Sequence, residues 1–144
     1  MRYLPLAVLI LAAPLFAQSA VPSARIEAGF KTLSTGSWED AFKEWRKDGL
    51  PLDAGEIEVR KHLEEWIPRT WNIGSWELVL SSPPSPAWQR QWWLATFDQG
   101  VVFFTFDHVW HKGEWRLFRI DVSRDPKHLI PNLDLLAGQA QRAR

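Results

Sequence analysis

The sequence predicts an α+β fold in which three N-terminal helices pack on a curved antiparallel meander sheet of about four strands. Two observations favour this fold. Apolar residues recur every three or four positions as far as residue 67, and from residue 76 onward they alternate with polar ones. Short polar loops that end in glycine separate the last three alternating segments, as is typical of hairpins. A helical half is therefore followed by a sheet half.

A short apolar segment precedes the predicted helices. Arg2 is the only charge ahead of residues 4–16, a stretch shorter than the roughly 18 residues that a membrane span requires. Ala17 and Ala20 are both candidate cleavage points. We therefore expect residues 1–17 to be a secretory signal peptide. The mature protein is expected to be exported, to the periplasm or the medium, with no membrane span.

Each predicted helix has an apolar stripe and a defined end. The first ends at Gly36, and Ser37 begins the second as a capping residue. Gly49 is predicted to take the left-handed conformation that ends the second helix, and Pro68 ends the third. The apolar residues of the three stripes are Ile26, Phe30, Leu33, Ala41, Phe42, Trp45, Val59, Leu63, Trp66 and Ile67.

Four strands are predicted after the helices. They cover residues 76–81, 88–97, 101–110 and 114–122. The last two loops, 98–100 and 111–113, are predicted to have three residues each, with glycine in the left-handed position. Such loops would place Phe97 opposite Val101 and Trp110 opposite Glu114. Residues 23–124 are then one α+β domain, and residues 125–144 are a C-terminal tail with a helical turn or two at 132–141.

This register defines a candidate ligand-binding site. It puts Arg90, His108 and Arg116 in one row across adjacent strands of a largely apolar face, with Trp88 and Trp110 in the next row. Opposed side chains have Cβ atoms about 5 Å apart, so these groups are expected to converge. Arginine offers a planar fork for an anion, and tryptophan offers a flat wall for an organic ligand.

A structural alternative explains the same row. At the open rim of the sheet, Arg90 and Arg116 would lay their stems on tryptophan and pair with Glu114 or with a helix acid. Asp107 is predicted on the other face, in an exposed ion pair with Arg119. His108 is a candidate general acid or base; such a role requires burial, and a cavity that contains His108 and a nearby carboxylate would favour it.

Composition excludes several function classes. The chain has 17 basic and 17 acidic residues, so loss of Arg2 with the leader leaves one net negative charge, and nucleic acid is not expected as a partner. Cysteine is absent, which removes thiol chemistry and thiolate metal sites. His108 and His111 have an H-x-x-H spacing but no third ligand. No metal and no cofactor are predicted.

The other face of the predicted sheet suggests a dimer. By strand parity it carries Trp93, Phe103 and Trp115, three aromatic residues that a solvated face would leave exposed. We expect either a homodimer through these three residues or their partial burial by the tail.

Two segments resemble the superfamily of nuclear transport factor 2, whose members have a cone-shaped α+β fold. Residues 33–42 (LSTGSWEDAF) are similar to its first helix, glycine turn and second helix, and residues 113–120 (GEWRLFRI) to its last strand. The resemblance implies a pocket inside a cone. The superfamily holds isomerases, hydratases, cyclases and non-catalytic binding domains, so the fold does not assign a function.

The sequence therefore leaves three alternative functions open, of which the first is preferred. The first is an exported non-catalytic domain that binds a small anionic or aromatic ligand, or a partner segment, in a cone-like pocket. The second is an isomerase, cyclase or dehydratase that uses His108 as general acid or base. The third is a structural homodimer or a component of an envelope complex.

Overall fold

Helices and strands are segregated along the chain. The computed structural model describes residues 23–51, 55–67, 71–83 and 85–130. Within these ranges the helices and strands, in chain order, are α1 (Ser23–Thr35), α2 (Trp38–Arg46), α3 (Gly55–Trp66), β1 (Ile73–Ser81), β2 (Trp88–Phe97), β3 (Gly100–His111), β4 (Glu114–Ser123) and α4 (Pro126–Leu129). The four strands form one antiparallel sheet in the order β1-β2-β3-β4. The predicted α+β fold is confirmed.

The predictions for the two ends of the chain lie outside the described residues. They are the leader at residues 1–17 and the helical turn at 132–141. Among the helices that the structure describes, none combines the length and the apolar character needed to cross a membrane.

The ends of α2 confirm one prediction and correct another. The Ser37 hydroxyl accepts a hydrogen bond from the Asp40 backbone N–H at 3.2 Å, as the capping pattern predicted. Hydrogen bonds from the Ser37 hydroxyl and the Lys43 ammonium to the Asp40 carboxylate lower the pKa of Asp40. At the other end, Asp48 takes the left-handed conformation (φ 62°), so the prediction that Gly49 would do so is wrong. Aspartate tolerates this region because its side chain can hydrogen-bond locally.

An aromatic cluster fills the space between the helices and the sheet. Phe30 of α1 is fully buried at its centre and contacts rings of α2, β1, β2 and β3. The Trp45 indole N–H donates to the Ile26 carbonyl at 2.9 Å. A Cβ atom at Gly29 would lie 1.9 Å from Trp45 Nε1, so only glycine allows α1 and α2 this close approach.

The first hairpin differs from the prediction by one residue. Phe97 pairs with Gly100, so the loop is the two residues Asp98 and Gln99 and the glycine belongs to the ladder. A shift of one residue reverses the faces of β2 relative to β3. Trp93 therefore joins the core, 3% exposed, on the face that meets the helices. Trp92 lies on the opposite, outer face.

The second hairpin also has a two-residue loop. His111 pairs with Glu114, and Lys112 (φ 50°) and Gly113 (φ 87°) have the two positive φ angles of a type I′ turn. The predicted pair of Trp110 with Glu114 is therefore wrong, and Trp110 opposes Trp115. A β-bulge in β4 then changes the parity back: Asp107 pairs with Arg119 and His108 with Leu117, so Phe118 is the extra residue. Past the bulge, toward the start of β3 and the end of β4, the side chains that were predicted to share the apolar face do share it. Phe106 and Ile120 are one such opposed pair.

Candidate functional site

The predicted cationic row does not form. Arg90 lies opposite Asp107 on the outer face, whereas His108 lies opposite Gln89. The Arg90 guanidinium donates two hydrogen bonds of 2.6 Å to the Asp107 carboxylate, and this contact raises the pKa of Arg90. Asp107, predicted to be solvated, is buried. Arg90 is therefore paired with a carboxylate of the protein itself, because β2 is shifted by one residue relative to its predicted pairing with β3.

Arg90 also lies between two indole rings. Its guanidinium carbon is 5.5 Å from the Trp88 ring centroid and 5.8 Å from the Trp92 ring centroid. The attraction between a guanidinium and the face of an indole ring stabilises this position of the Arg90 side chain. Trp88 itself remains partly exposed. The side chains of Arg90 and Trp88 are therefore together, but it is the guanidinium and not the stem that lies over the ring, and its partner is Asp107 of β3 and not Glu114 or a helix acid.

His108 lies on the helix-facing side of β3 and is buried. Burial lowers its pKa to about 4, a backbone hydrogen bond with Phe106 opposes this, and the positive charge of Arg25 lowers it further. Its Nδ1 atom is buried and makes no hydrogen bond. A general acid or base must lie within hydrogen-bonding reach of the proton that it transfers, and a nearby carboxylate would orient the imidazole for that role. Among the residues that the structure describes, no carboxylate forms a hydrogen bond or an ion pair with His108.

Arg116 and Trp110 lie at the far end of the sheet. Arg116 is opposite Val109, and its guanidinium donates to the Asp48 carbonyl at 2.7 Å and to the Glu114 carboxylate. The pair with Glu114 is the one that the structural alternative predicted. Trp110 packs edge-on against Trp115, with ring centroids 5.4 Å apart. Each of these groups is engaged away from Arg90 and from His108.

The three residues predicted to form a dimer surface do not share one face. Trp93 is buried in the core, on the helix-facing side. Phe103 opposes Leu94 on the outer face, and Trp115 packs against Trp110. The one-residue shift of β2 explains the change for Trp93. Dimerisation itself stays a prediction.

A cleft of about 280 Å³ opens between α3, β4 and α4. One wall is a pair of stacked rings, those of His62 and Trp66, with centroids 4.4 Å apart and planes within 5° of parallel. Both residues are half-buried, because α3 turns Val59 and Leu63 into the core and places His62 and Trp66 at the edge of that buried stripe. The full lining is Gly55, Glu58, Val59, His62, Trp66, Arg119, Asp121, Val122, Ser123, His128 and Leu129.

The second wall is β4. Its Arg119 guanidinium binds the Asp121 carboxylate through two nitrogens, at 2.8 and 3.0 Å. Ser123, at the end of the strand, is buried and accepts a hydrogen bond from the Asp125 backbone N–H at 3.0 Å. The Arg119–Asp121 ion pair and the Ser123 hydroxyl therefore line the cleft together with the ring pair.

Residues 124–130, here called the C-terminal strap, complete the cleft. Asp125 caps α4 through its side chain, which accepts from the Lys127 backbone N–H at 2.9 Å. The Trp92 indole N–H donates to the Leu129 carbonyl at 2.7 Å, and Ile130 is buried. His128 Nδ1 lies 3.5 Å from the Ser123 hydroxyl. The strap thus holds the outer face of the sheet while it lines the cleft with His128 and Leu129.

The cleft was not predicted from the sequence. Trp66 was predicted to belong to the apolar stripe of the third helix, and no role was predicted for His62 or His128. The spacing of four between His62 and Trp66 is a signal that both rings share one side of α3. Nothing in the sequence shows that α3, β4 and the strap meet.

The described residues contain no group of three or more His, Asp or Glu side chains arranged to hold a metal ion. His108 and His111 are separated by burial, since His108 is in the core and His111 is exposed at the turn.

Comparison with known proteins identifies no relative. No protein-family model, no curated protein and no solved structure matches the chain. The resemblance to the superfamily of nuclear transport factor 2 therefore stays a prediction.

Proposed function

We propose that this chain is an exported, non-catalytic domain that binds a small aromatic ligand in the cleft between α3, β4 and the C-terminal strap. The observation that carries the proposal is the stacked pair of His62 and Trp66, two aromatic rings that line a cleft together with several polar groups. Sites of this kind combine an apolar wall with a few polar groups that orient the ligand.

The size of the cleft supports a ligand of one ring or two. Its volume of about 280 Å³ is near the lower end of the range for small-molecule sites. A closed apolar cavity of roughly 150 Å³ is enough to accept benzene. A single aromatic ring with a polar substituent therefore fits, with the substituent toward Asp121, Ser123 and His128.

The polar groups of the cleft support binding rather than catalysis. The Ser123 hydroxyl accepts from a backbone N–H, a local turn arrangement, and its 3.5 Å distance to His128 is at the limit for a hydrogen bond. His128 is exposed and has no carboxylate partner among the described residues to orient it. His108 does not line the cleft. An activated nucleophile needs an oriented base, so this arrangement favours a binding site.

The test uses benzamide as the aromatic probe and cyclohexanecarboxamide as a probe with the same amide and no aromatic face. Protein-observed NMR should show saturable shifts of the Trp66 indole and the His62 ring with benzamide and much smaller ones with cyclohexanecarboxamide. His62→Ala and Trp66→Leu should each weaken benzamide binding. Trp110→Leu, which changes a tryptophan outside the cleft, should not. Shifts that are absent, or that survive both cleft substitutions, would overturn the proposal.

A further inference from the structure

We infer that the cleft selects planar cations over anions, so that its ligand carries an aromatic ring and an amidinium, guanidinium or similar positive group. This inference rests on the proposed function and specifies its ligand. It replaces the anion expected from the sequence, because the arginines on which that expectation depended are committed elsewhere.

The charges that line the cleft do not balance. Its lining contains the carboxylates of Glu58 and Asp121 and the guanidinium of Arg119, a formal charge of −1 with both imidazoles neutral. Arg119 binds Asp121 through both Nε and Nη2, so its positive charge is already paired with a carboxylate of the cleft. The positive charge of the cleft is therefore matched internally.

Glu58 is the unmatched charge. It is exposed on α3, one turn before His62, and it has no hydrogen-bond or ion-pair partner among the described residues. The other acid of the first turn, Glu56, differs in this respect, since it binds Arg60 at 2.9 Å. The carboxylate of Glu58 therefore lies near the ring pair without a protein partner. It would serve as the counter-ion of a positively charged ligand that stacks on these rings.

The ring pair acts in the same direction. The face of an indole carries partial negative charge, and a cation placed over a free ring face gains about two- to fivefold in affinity at exposed sites. An exposed ion pair adds a factor of about 1.5 to 5. Together these effects predict a preference of about three- to thirtyfold for a planar cation over a neutral ligand of the same shape. An anion would face Glu58 without a free partner.

Three probes of one shape test the inference: benzamidinium, benzamide and benzoate. At pH 8 and low salt, titration calorimetry should give benzamidinium a dissociation constant about three- to thirtyfold below that of benzamide, with benzoate the weakest. The preference should shrink in 0.5 M salt because exposed charges are screened.

Matched variants locate the effect. Glu58→Gln should weaken benzamidinium binding more than benzamide binding and so reduce the benzamidinium preference to about the two- to fivefold that the ring face supplies. Glu64→Gln, on the same helix but outside the cleft lining, should leave the preference intact. Equal binding of all three probes, or tightest binding of benzoate, would overturn the charge inference and leave the proposed function standing. Failure of all three to bind would overturn both.

Discussion

The carboxylate of Asp107 and the guanidinium of Arg90 form a two-point ion pair on the outer face of the sheet, with both hydrogen bonds at 2.6 Å. Asp107 is 4% exposed, so its charge has little access to water and depends on Arg90. Removing one member of a buried pair leaves the other charge uncompensated, and this typically costs about 3–5 kcal/mol.

Arg90→Met should therefore destabilise the protein by about 3 kcal/mol, because Asp107 stays buried without its partner. The double variant Arg90→Met with Asp107→Asn should recover most of this loss. Urea unfolding monitored by circular dichroism measures both. If the single and double variants were equally unstable, the pair would not be the source of the effect.

Stability should fall as the pH is lowered from about 6.5 to about 4. His108 is buried, and its pKa is lowered from 6.5 to about 4 in the folded protein. Between these values the unfolded chain binds a proton that the folded chain does not, so the free energy of unfolding rises with pH across this window. The full effect is about 3 kcal/mol, present above pH 6.5.

The measurement is urea unfolding at a series of pH values between 4 and 7. His108→Gln should flatten the pH dependence. His111→Gln changes an exposed imidazole on the same strand and serves as the matched control. A pH dependence that His108→Gln leaves unaltered would show that other groups cause it.

Gly29→Ala should destabilise the contact between α1 and α2. Its methyl group would lie 1.9 Å from Trp45 Nε1, and the indole cannot move without losing its hydrogen bond to the Ile26 carbonyl. Overpacking of this kind costs about 1–3 kcal/mol, and we expect the upper end. Gly74→Ala is the control, since a Cβ there meets its nearest atom at 3.6 Å. Thermal unfolding should show a lowered midpoint for Gly29→Ala alone.

The C-terminal strap should depend on the indole of Trp92. Trp92→Phe removes the hydrogen bond to the Leu129 carbonyl, a loss of about 1 kcal/mol that corresponds to a roughly fivefold increase in strap opening. Hydrogen exchange of a peptide covering residues 124–130 measures this directly. Trp88→Phe, on the same strand and exposed, should leave the exchange unchanged. Equal protection in both variants would mean that the strap is held by other contacts.

Register explains why the predicted fold was confirmed while the predicted site was not. An alternating strand has the same pattern whether its neighbour is shifted by one residue or not, and the loops at 98–100 and 111–113 allow the glycine to end the loop or to begin the next strand. In the first hairpin Gly100 begins the strand, and this single difference moves Arg90 from His108 to Asp107. The β-bulge in β4 has no sequence signal that distinguishes it from a regular strand.

Periodicity and local hydrogen bonds were enough to predict the helical half and the four-stranded half of the chain, the cap at Ser37 and every residue of the helical stripes except the half-buried Trp66. Which strand faces meet the helices depends on tertiary packing, and so does the position of the cleft. Its three walls come from α3, β4 and the C-terminal strap, segments separated along the chain, and they meet because the strap is held to the outer face through Trp92. Contacts of this kind depend on how the sheet and helices pack, which local pattern does not encode.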